Sequence, residues 1–174
     1  LAIKYLLIDI SVDCDHFMAL QPGTKAPNFT IDSHLGQVNL SELRGKNVVV
    51  GFHPASFTGG WLNQVREFRV NYDKFVALNA EIVQISVDQL PVQVAWVKSM
   101  AEEGEDEGTV PFPVASDFWP HGDVTRAFDV FNEATGRAKR AVFIVDPEGV
   151  IRWSNVYTES LPASSELIYE LEQM

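Results

Sequence analysis

The chain has 174 residues, of which 46% are hydrophobic and 21% are charged, and its formal net charge is −11 at pH 7. That length and composition predict one soluble globular domain with a sizeable core. The acidic balance excludes nucleic acid and anionic membrane surfaces as binding partners, because an acidic surface repels both.

The start of the chain is interpreted as an extension over residues 1–17, and the domain is predicted to occupy residues 18–174. Residues 5–8 form the longest apolar run near the start, too short to cross a bilayer. Acidic residues follow that run closely, which is unlike a signal peptide. Cys14 is the only cysteine, so no internal disulfide can form, which favours a reducing, cytoplasmic location.

The first half of the domain shows strand and helix patterns in alternation. Apolar residues alternate with polar ones on both sides of residues 34–36, which predicts an N-terminal β-hairpin. Residues 47–52 are nearly all apolar, which is typical of a strand buried on both faces of a sheet. Helical spacing then predicts a helix over residues 61–78. A second core strand over residues 81–87 precedes a second helix over residues 89–100.

The second half begins with an acidic run at residues 102–107, which is interpreted as a solvated loop. The remaining predicted elements are a short helix over 124–130, a third core strand over 141–145, a turn at 146–149, a strand over 150–153 and a last helix over 164–171. This order predicts an α/β fold, a three-layer sandwich around a mixed central sheet with an N-terminal hairpin.

The segment between the first core strand and the following helix carries the functional signal. Residues 52–61 are Phe-His-Pro-Ala-Ser-Phe-Thr-Gly-Gly-Trp. They resemble the active-site loop of the peroxiredoxins, whose motif runs Pro-x-x-x-Thr-x-x-Cys. Pro54 and Thr58 match that motif in type and spacing. The eighth position, which in the motif is the peroxide-attacking cysteine, is Trp61.

Three later segments extend the resemblance over most of the chain. Residues 116–122, Ser-Asp-Phe-Trp-Pro-His-Gly, are similar to the signature of alkyl hydroperoxide reductase E, a one-cysteine peroxiredoxin. Residues 131–133 and 140–146 continue the pattern. The resemblance covers about residues 22–157 and implies the thioredoxin-like fold of the peroxiredoxins.

The resemblance also implies roles for individual residues. Pro54 would shield the site from water, Thr58 would orient the peroxide, and Arg140 would stabilise a thiolate and the charge that develops on the peroxide. In active relatives the partners are a hydroperoxide and a thiol reductant of the thioredoxin or mycothiol type. The family also implies a homodimer formed through surface beside the active site, with Phe118 and Trp119 as candidate contact residues. No cofactor and no metal is expected.

Trp61 decides which function the sequence predicts. An indole has no ionisable nucleophile and only a hydrogen-bond donor, and we expect it to fill the volume that a peroxide would occupy. The favoured hypothesis is a peroxiredoxin-family protein without peroxidase activity. A second hypothesis is an active thiol peroxidase whose native gene encodes cysteine at position 61. A third is a non-catalytic, anion-binding or regulatory paralogue that uses Arg140. The histidines His53 and His121 are interpreted as structural.

Overall fold

The computed structural model of the chain describes residues 19–100, 110–158 and 160–174, with only the backbone described for Trp61 and Leu62. The predicted extension over 1–17 and the predicted loop at 102–107 lie outside these ranges. The domain limits 18–174 therefore stay a prediction. The strands are β1 (Thr30–Ser33), β2 (Gly36–Asn39), β3 (Asn47–Phe52), β4 (Ala80–Ser86), β5 (Val114–Ser116), β6 (Phe131–Asn132), β7 (Arg137–Ala138), β8 (Ala141–Val145) and β9 (Ile151–Val156). The helices are α1 (Gly59–Val70), α2 (Tyr72–Ala77), α3 (Leu90–Lys98), α4 (Asp123–Ala127) and α5 (Ser164–Glu172).

Seven strands form one mixed sheet in the order β2-β1-β5-β4-β3-β8-β9, and β6 pairs with β7 in a separate two-stranded sheet. Strand β3 lies between β4 and β8 and is parallel to β4 and antiparallel to β8. The hairpin of β1 and β2 is antiparallel and joins the sheet through β5. This arrangement confirms the predicted mixed sheet and its N-terminal hairpin.

The alternation of side chains along β3 divides the core into two. Val48, Val50 and Phe52 face one apolar cluster, which α4 and the segment before β1 cover. Val49 faces the other cluster, which α1, α2, α3 and α5 cover. Because apolar side chains on both faces of the sheet need a covering layer, the chain forms three layers, as predicted.

An aromatic cluster supports the loop that follows β3 from the face covered by α4. The ring of Phe128 lies 5.2 Å from that of Phe52 and 5.1 Å from that of Phe143, measured between centroids. Both contacts are inclined, which is the geometry that aromatic quadrupoles favour, at about 0.5–1.5 kcal/mol for each pair. The end of β3 is therefore held in a fixed position beneath the site.

The prediction of one helix over residues 61–78 is wrong. The chain forms α1 and α2 with a break at Asn71, whose φ of −100° and ψ of 6° are not helical. The Asn71 side-chain amide donates to the carbonyl of Glu67 at 3.0 Å. An asparagine side chain that bonds to a backbone carbonyl competes with the backbone hydrogen bonds of the helix. It can therefore interrupt a helix even where the apolar spacing continues.

Three short features differ from the sequence prediction or are absent from it. The short helix predicted over residues 124–130 is α4, and it ends at Ala127, because Asp129 takes a left-handed φ of 59°. The strand β5 and the hairpin of β6 and β7 were not predicted. Their strands are only two or three residues long, which is too short to show an alternating pattern.

Candidate functional site

The loop over residues 53–58 connects β3 to α1 and presents the peroxiredoxin-like motif. Its first backbone N–H, from His53, donates to the carbonyl of Ile85 at 3.0 Å and so continues the parallel pairing with β4. The backbone N–H of Ser56 donates to a carboxylate oxygen of Asp88 at 2.6 Å. Phe57 then takes a left-handed φ of 58°, which reverses the chain direction before the helix. The path of the loop is thus set by two hydrogen bonds, one to Ile85 on β4 and one to Asp88 just after β4.

Position 61 lies in the first turn of α1. Thr58 is the residue before the helix, and α1 begins at Gly59, two residues earlier than predicted. The expectation that the helix starts at Trp61 is therefore wrong, and Trp61 is its third residue. The first four N–H groups of a helix have no partner within it and carry partial positive charge, so this turn still favours an anion. We expect the indole of Trp61 to fill the volume that a peroxide would occupy. The structure describes only the backbone of Trp61, so this expectation stays a prediction.

Thr58 does not cap α1 with its side chain. Its hydroxyl donates to the carbonyl of Ala55 at 2.9 Å, within the same loop, and the residue is exposed. This bond closes the turn from Ala55 to Thr58. The hydroxyl oxygen keeps lone pairs that can accept a further hydrogen bond.

Arg140 lies just before β8 and beside the loop. One of its terminal nitrogens donates to the carbonyl of Ser160 at 3.2 Å, and its own carbonyl accepts the N–H of Tyr157 at 2.8 Å. Pro54 and Arg140 line one pocket of about 430 Å³, whereas Thr58 lies outside that lining. The structure therefore brings two of the predicted site residues together.

Glu133, in the matched segment over residues 131–133, forms an ion pair with Arg126. Both carboxylate oxygens of Glu133 accept from the guanidinium of Arg126. The same guanidinium lies 3.7 Å from the centroid of the Phe131 ring. Arg126 thus contacts both Phe131 and Glu133, and Glu133 is exposed.

A polar network behind the loop was missed by sequence reasoning. A carboxylate oxygen of Asp88 accepts from the Ser86 hydroxyl at 2.8 Å, and the Ser56 hydroxyl donates to the carbonyl oxygen of the Gln93 side chain at 3.1 Å. The Gln93 amide donates in turn to the carbonyl of Ala115 at 3.2 Å. Since Ser86 and Gln93 are buried, this network ties the site loop to the sheet and to α3. A polar residue after a buried strand, here Asp88, was its only signal in the sequence.

His53 is part of the core, as its interpretation as structural requires. It is fully buried, and its ring lies 5.2 Å from that of Trp96. Burial lowers the pKa of His53 from 6.5 to about 4, although the negative charge of Asp88 acts in the opposite direction. His121 is exposed and packs at 4.9 Å against the ring of Trp119. One histidine is thus inside the domain and the other on its surface.

The loop over residues 116–122 is organised by the buried carboxylate of Asp117. It accepts from the backbone N–H groups of Val124 and Thr125 at 3.1 and 2.7 Å, and from the Thr125 hydroxyl at 2.6 Å. Burial raises the pKa of Asp117, and these hydrogen bonds oppose that rise. Gly122 has a φ of +88°, and a β-carbon there would lie 2.5 Å from the Phe131 ring, so glycine is required. The loop leaves Trp119 73% exposed.

The described residues form neither a metal-binding group nor a membrane-spanning helix. In residues 19–100, 110–158 and 160–174, no three His, Cys, Asp or Glu side chains form a group that could hold a metal ion. Over the same ranges, every helix falls short of the length and hydropathy needed to cross a bilayer.

Comparison with known proteins assigns the scaffold. The model of the AhpC/TSA family matches residues 22–154. The chain is 36% identical over 139 residues to alkyl hydroperoxide reductase E of Mycobacterium tuberculosis, and the match covers 79% of this chain and 86% of that protein. The chain belongs to the AhpC/TSA family. Peroxiredoxin 2 of Thermoplasma acidophilum is a further relative of this AhpC/TSA chain, 35% identical over 135 residues.

Solved structures place the AhpC/TSA chain among proteins with the peroxiredoxin form of the thioredoxin fold. AhpC of Enterococcus faecalis superposes with a TM-score of 0.78 at 28% identity, over 90% of this chain and 92% of that one. The predicted fold class is therefore confirmed. The match to the Thermoplasma relative covers 78% of this chain but 66% of that protein's length. The chain and this relative share the family's scaffold. The rest of the Thermoplasma protein lies outside the match.

Proposed function

We propose that this AhpC/TSA-family chain keeps the peroxiredoxin scaffold but does not reduce hydroperoxides. The observation that carries the proposal is Trp61 in the first turn of α1, where the family motif has its cysteine. Pro54, Thr58 and Arg140 are the proposed remnants of the peroxide site. Position 61, in the first turn of α1, would favour an anion, but tryptophan has no atom able to become one.

The chemistry of the family explains why the loss is complete. In active relatives a thiolate attacks one peroxide oxygen, the O–O bond breaks, and water or an alcohol leaves while the sulfur becomes a sulfenic acid. Without sulfur at position 61 no sulfenic acid can form there, so this route of peroxide reduction is removed rather than slowed. The single cysteine, Cys14, precedes the residues that the family model matches. A thiol reductant of the thioredoxin or mycothiol type would have no sulfenic acid to reduce.

The chain as it stands is expected to show no thiol-dependent peroxide consumption. Hydrogen peroxide and cumene hydroperoxide would be followed with dithiothreitol as the reductant, at several protein concentrations. We expect rates equal to those of a Cys14→Ser control and of buffer. A rate that rises in proportion to the concentration of the native chain would contradict the proposal, and the Cys14→Ser chain would show whether Cys14 supplies that activity.

We also propose a cytoplasmic homodimer that acts through binding or regulation. A chain with a single cysteine suits a reducing compartment such as the cytoplasm. Fractionation of source cells would test this location. The ring of His121 contacts those of Phe118 and Trp119, and the three form an exposed aromatic patch. Large exposed aromatic residues contribute strongly to protein interfaces, and a second copy of the chain would present the same patch.

Trp119→Ala is expected to shift the chain from dimer to monomer. Truncating an aromatic residue at the centre of an interface costs about 2 kcal/mol or more of binding free energy, roughly a thirtyfold weaker dimer. Sedimentation velocity over a range of concentrations would measure the shift. Tyr169→Ala is the matched control, since Tyr169 is 59% exposed and lies on α5. A native chain that sediments as a monomer, or a dimer that Trp119→Ala leaves intact, would contradict the proposal.

A further inference from the structure

The turn between β1 and β2 is tied to the start of β5 by a histidine. The antiparallel pairing of β1 with β5 covers two residue pairs, and the pair nearer to the turn is Ser33 with Ala115. His34 continues the pairing by one residue, because its backbone N–H donates to the carbonyl of Val114 at 3.2 Å. His34 thus lies where the pairing between the N-terminal hairpin and the rest of the sheet ends.

Both ring nitrogens of His34 take part in this contact. Nδ1 accepts the backbone N–H of Val114 at 3.2 Å, and Nε2 lies 3.2 Å from the carbonyl oxygen of Val110. A ring nitrogen that accepts an N–H carries no proton, whereas one that bonds to a carbonyl oxygen must carry a proton. The two contacts therefore assign a neutral ring with its proton on Nε2.

A protonated ring is incompatible with this pair of bonds. An imidazolium has two donors and no acceptor, so the N–H of Val114 loses its acceptor in either orientation of the ring. A proton on Nδ1 would also place two donor nitrogens 3.2 Å apart. A buried N–H without a partner costs about 1–3 kcal/mol. The chain avoids that cost if the turn moves away from β5 and admits water.

The turn, rather than the segment that it contacts, is the part that can move. Val110, Phe112 and Val114 belong to the core cluster beneath α1 and α3, and each is at most 2% exposed. Leu35 and Gly36, at the tip of the turn, are exposed. Release of the ring would therefore detach the exposed turn and leave the segment that enters β5 in place.

The elements around the ring carry few charged groups. Asp32 on β1 is exposed and accepts from the side-chain amide of Gln37 at 3.4 Å. Helix α3 packs against β1, and its one charged residue, Lys98, is exposed at the last position of the helix. Neither β2 nor residues 110–116 contain an Asp, Glu, His, Lys or Arg. Among the described residues, the hydrogen-bond partners of the ring are therefore backbone groups.

Burial sets the direction of the pH effect. It lowers the pKa of His34 from 6.5 while the turn is closed, although the bond to the carbonyl of Val110 acts in the opposite direction. In the released turn the ring is hydrated, so its pKa returns towards the ordinary value of about 6.5. Below about pH 6.5 the released form binds a proton more readily than the closed form, so acidification favours release.

We propose that His34 is a pH-sensitive latch, whose neutral ring holds the β1–β2 turn against the start of β5 and whose protonation releases the turn. The latch makes the docking of the N-terminal hairpin depend on pH. It goes beyond the proposed loss of peroxidase activity and does not depend on it, because no step involves residue 61.

Amide hydrogen exchange of the full chain, resolved by NMR, tests the latch at its own hydrogen bond. The protection of the Val114 N–H is measured between pH 7 and pH 5, together with that of Val49, which is fully buried in β3. We expect Val114 to be less protected than Val49, since the turn opens without unfolding of the domain. Acidification from pH 7 to pH 5 is expected to lower the protection of Val114 by about three- to twentyfold. The nitrogen NMR spectrum of the ring is expected to show Nδ1 without a proton at pH 7.

The variant His34→Gln separates the latch from other effects of acid. A glutamine amide both donates and accepts hydrogen bonds but gains no proton in this range, so we expect the protection of Val114 to become independent of pH. His121→Gln removes an exposed histidine instead and is the matched control, with the native pH dependence. If His34→Gln does not fold, the ring spectrum and the exchange of the native chain still decide the question.

Four results would overturn the latch. They are a proton on Nδ1 at pH 7, equal protection of Val114 and Val49, protection of Val114 that does not fall on acidification, and an unchanged pH dependence in His34→Gln. These measurements contain no peroxide, so their outcome is separate from that of the peroxidase assay.

Discussion

Replacing Trp61 with cysteine is expected to create a chain that consumes hydrogen peroxide when a thiol reductant is present. The first turn of α1 offers N–H groups without a partner inside the helix, and Arg140 supplies a guanidinium beside the loop. Both effects lower the pKa of a thiol and favour the thiolate that attacks peroxide. We expect a rate at least about 100-fold above that of the native chain, a small part of what enzymes achieve over uncatalysed reactions. Peroxide consumption with dithiothreitol would measure it.

Two further variants distinguish the effect of the new thiol from the effect of replacing a large side chain with a small one. Trp61→Ser makes a similar cavity without a thiol, so it is expected to remain at the rate of the native chain. Trp61→Cys combined with Arg140→Gln is expected to be slower than Trp61→Cys alone, because the thiolate loses a neighbouring cation. An inactive Trp61→Cys chain that remains folded would contradict the proposal that Pro54, Thr58 and Arg140 are an intact remnant.

The parts of the fold that were predicted correctly are those with a strong local pattern. β3 has the predicted bounds because the nearly continuous apolar run over residues 47–52 is typical of a strand covered on both faces. β8 is likewise found where an apolar run predicted it, over Ala141–Val145. Both runs are short and rich in valine, which favours a buried strand over a buried helix.

The features that were missed depend on partners far apart in the chain. Nothing around Ser56 indicates that its N–H would bond to Asp88, 32 residues later. Pro54 and Arg140 share a pocket only because β3 and β8 are neighbours in the sheet. The resemblance to peroxiredoxins supplied that pairing before the structure did. The break at Asn71 was missed for a different reason, since apolar spacing continues across it and only the asparagine itself signals the interruption.

His53 is expected to make the stability of the domain depend on pH. Its pKa is about 4 in the folded chain because burial disfavours the charged ring, against 6.5 without burial. Between these values the unfolded chain binds a proton that the folded chain does not, so the free energy of unfolding falls as the pH decreases. From pH 7 to pH 5 this linkage amounts to about 2 kcal/mol. Urea unfolding at each pH, at one protein concentration, would measure it.

The comparison with His53→Gln isolates this contribution. Asp117, whose pKa is raised by burial, contributes with the opposite sign, because the folded chain gains affinity for a proton there; it is present in both proteins and cancels in their difference. We expect His53→Gln to lose less stability than the native chain on acidification, whatever its stability at pH 7. His121→Gln removes an exposed histidine and should keep the native pH dependence. Equal pH dependence in the native chain and His53→Gln would mean that the buried ring accepts a proton as readily in the folded chain as in the unfolded one.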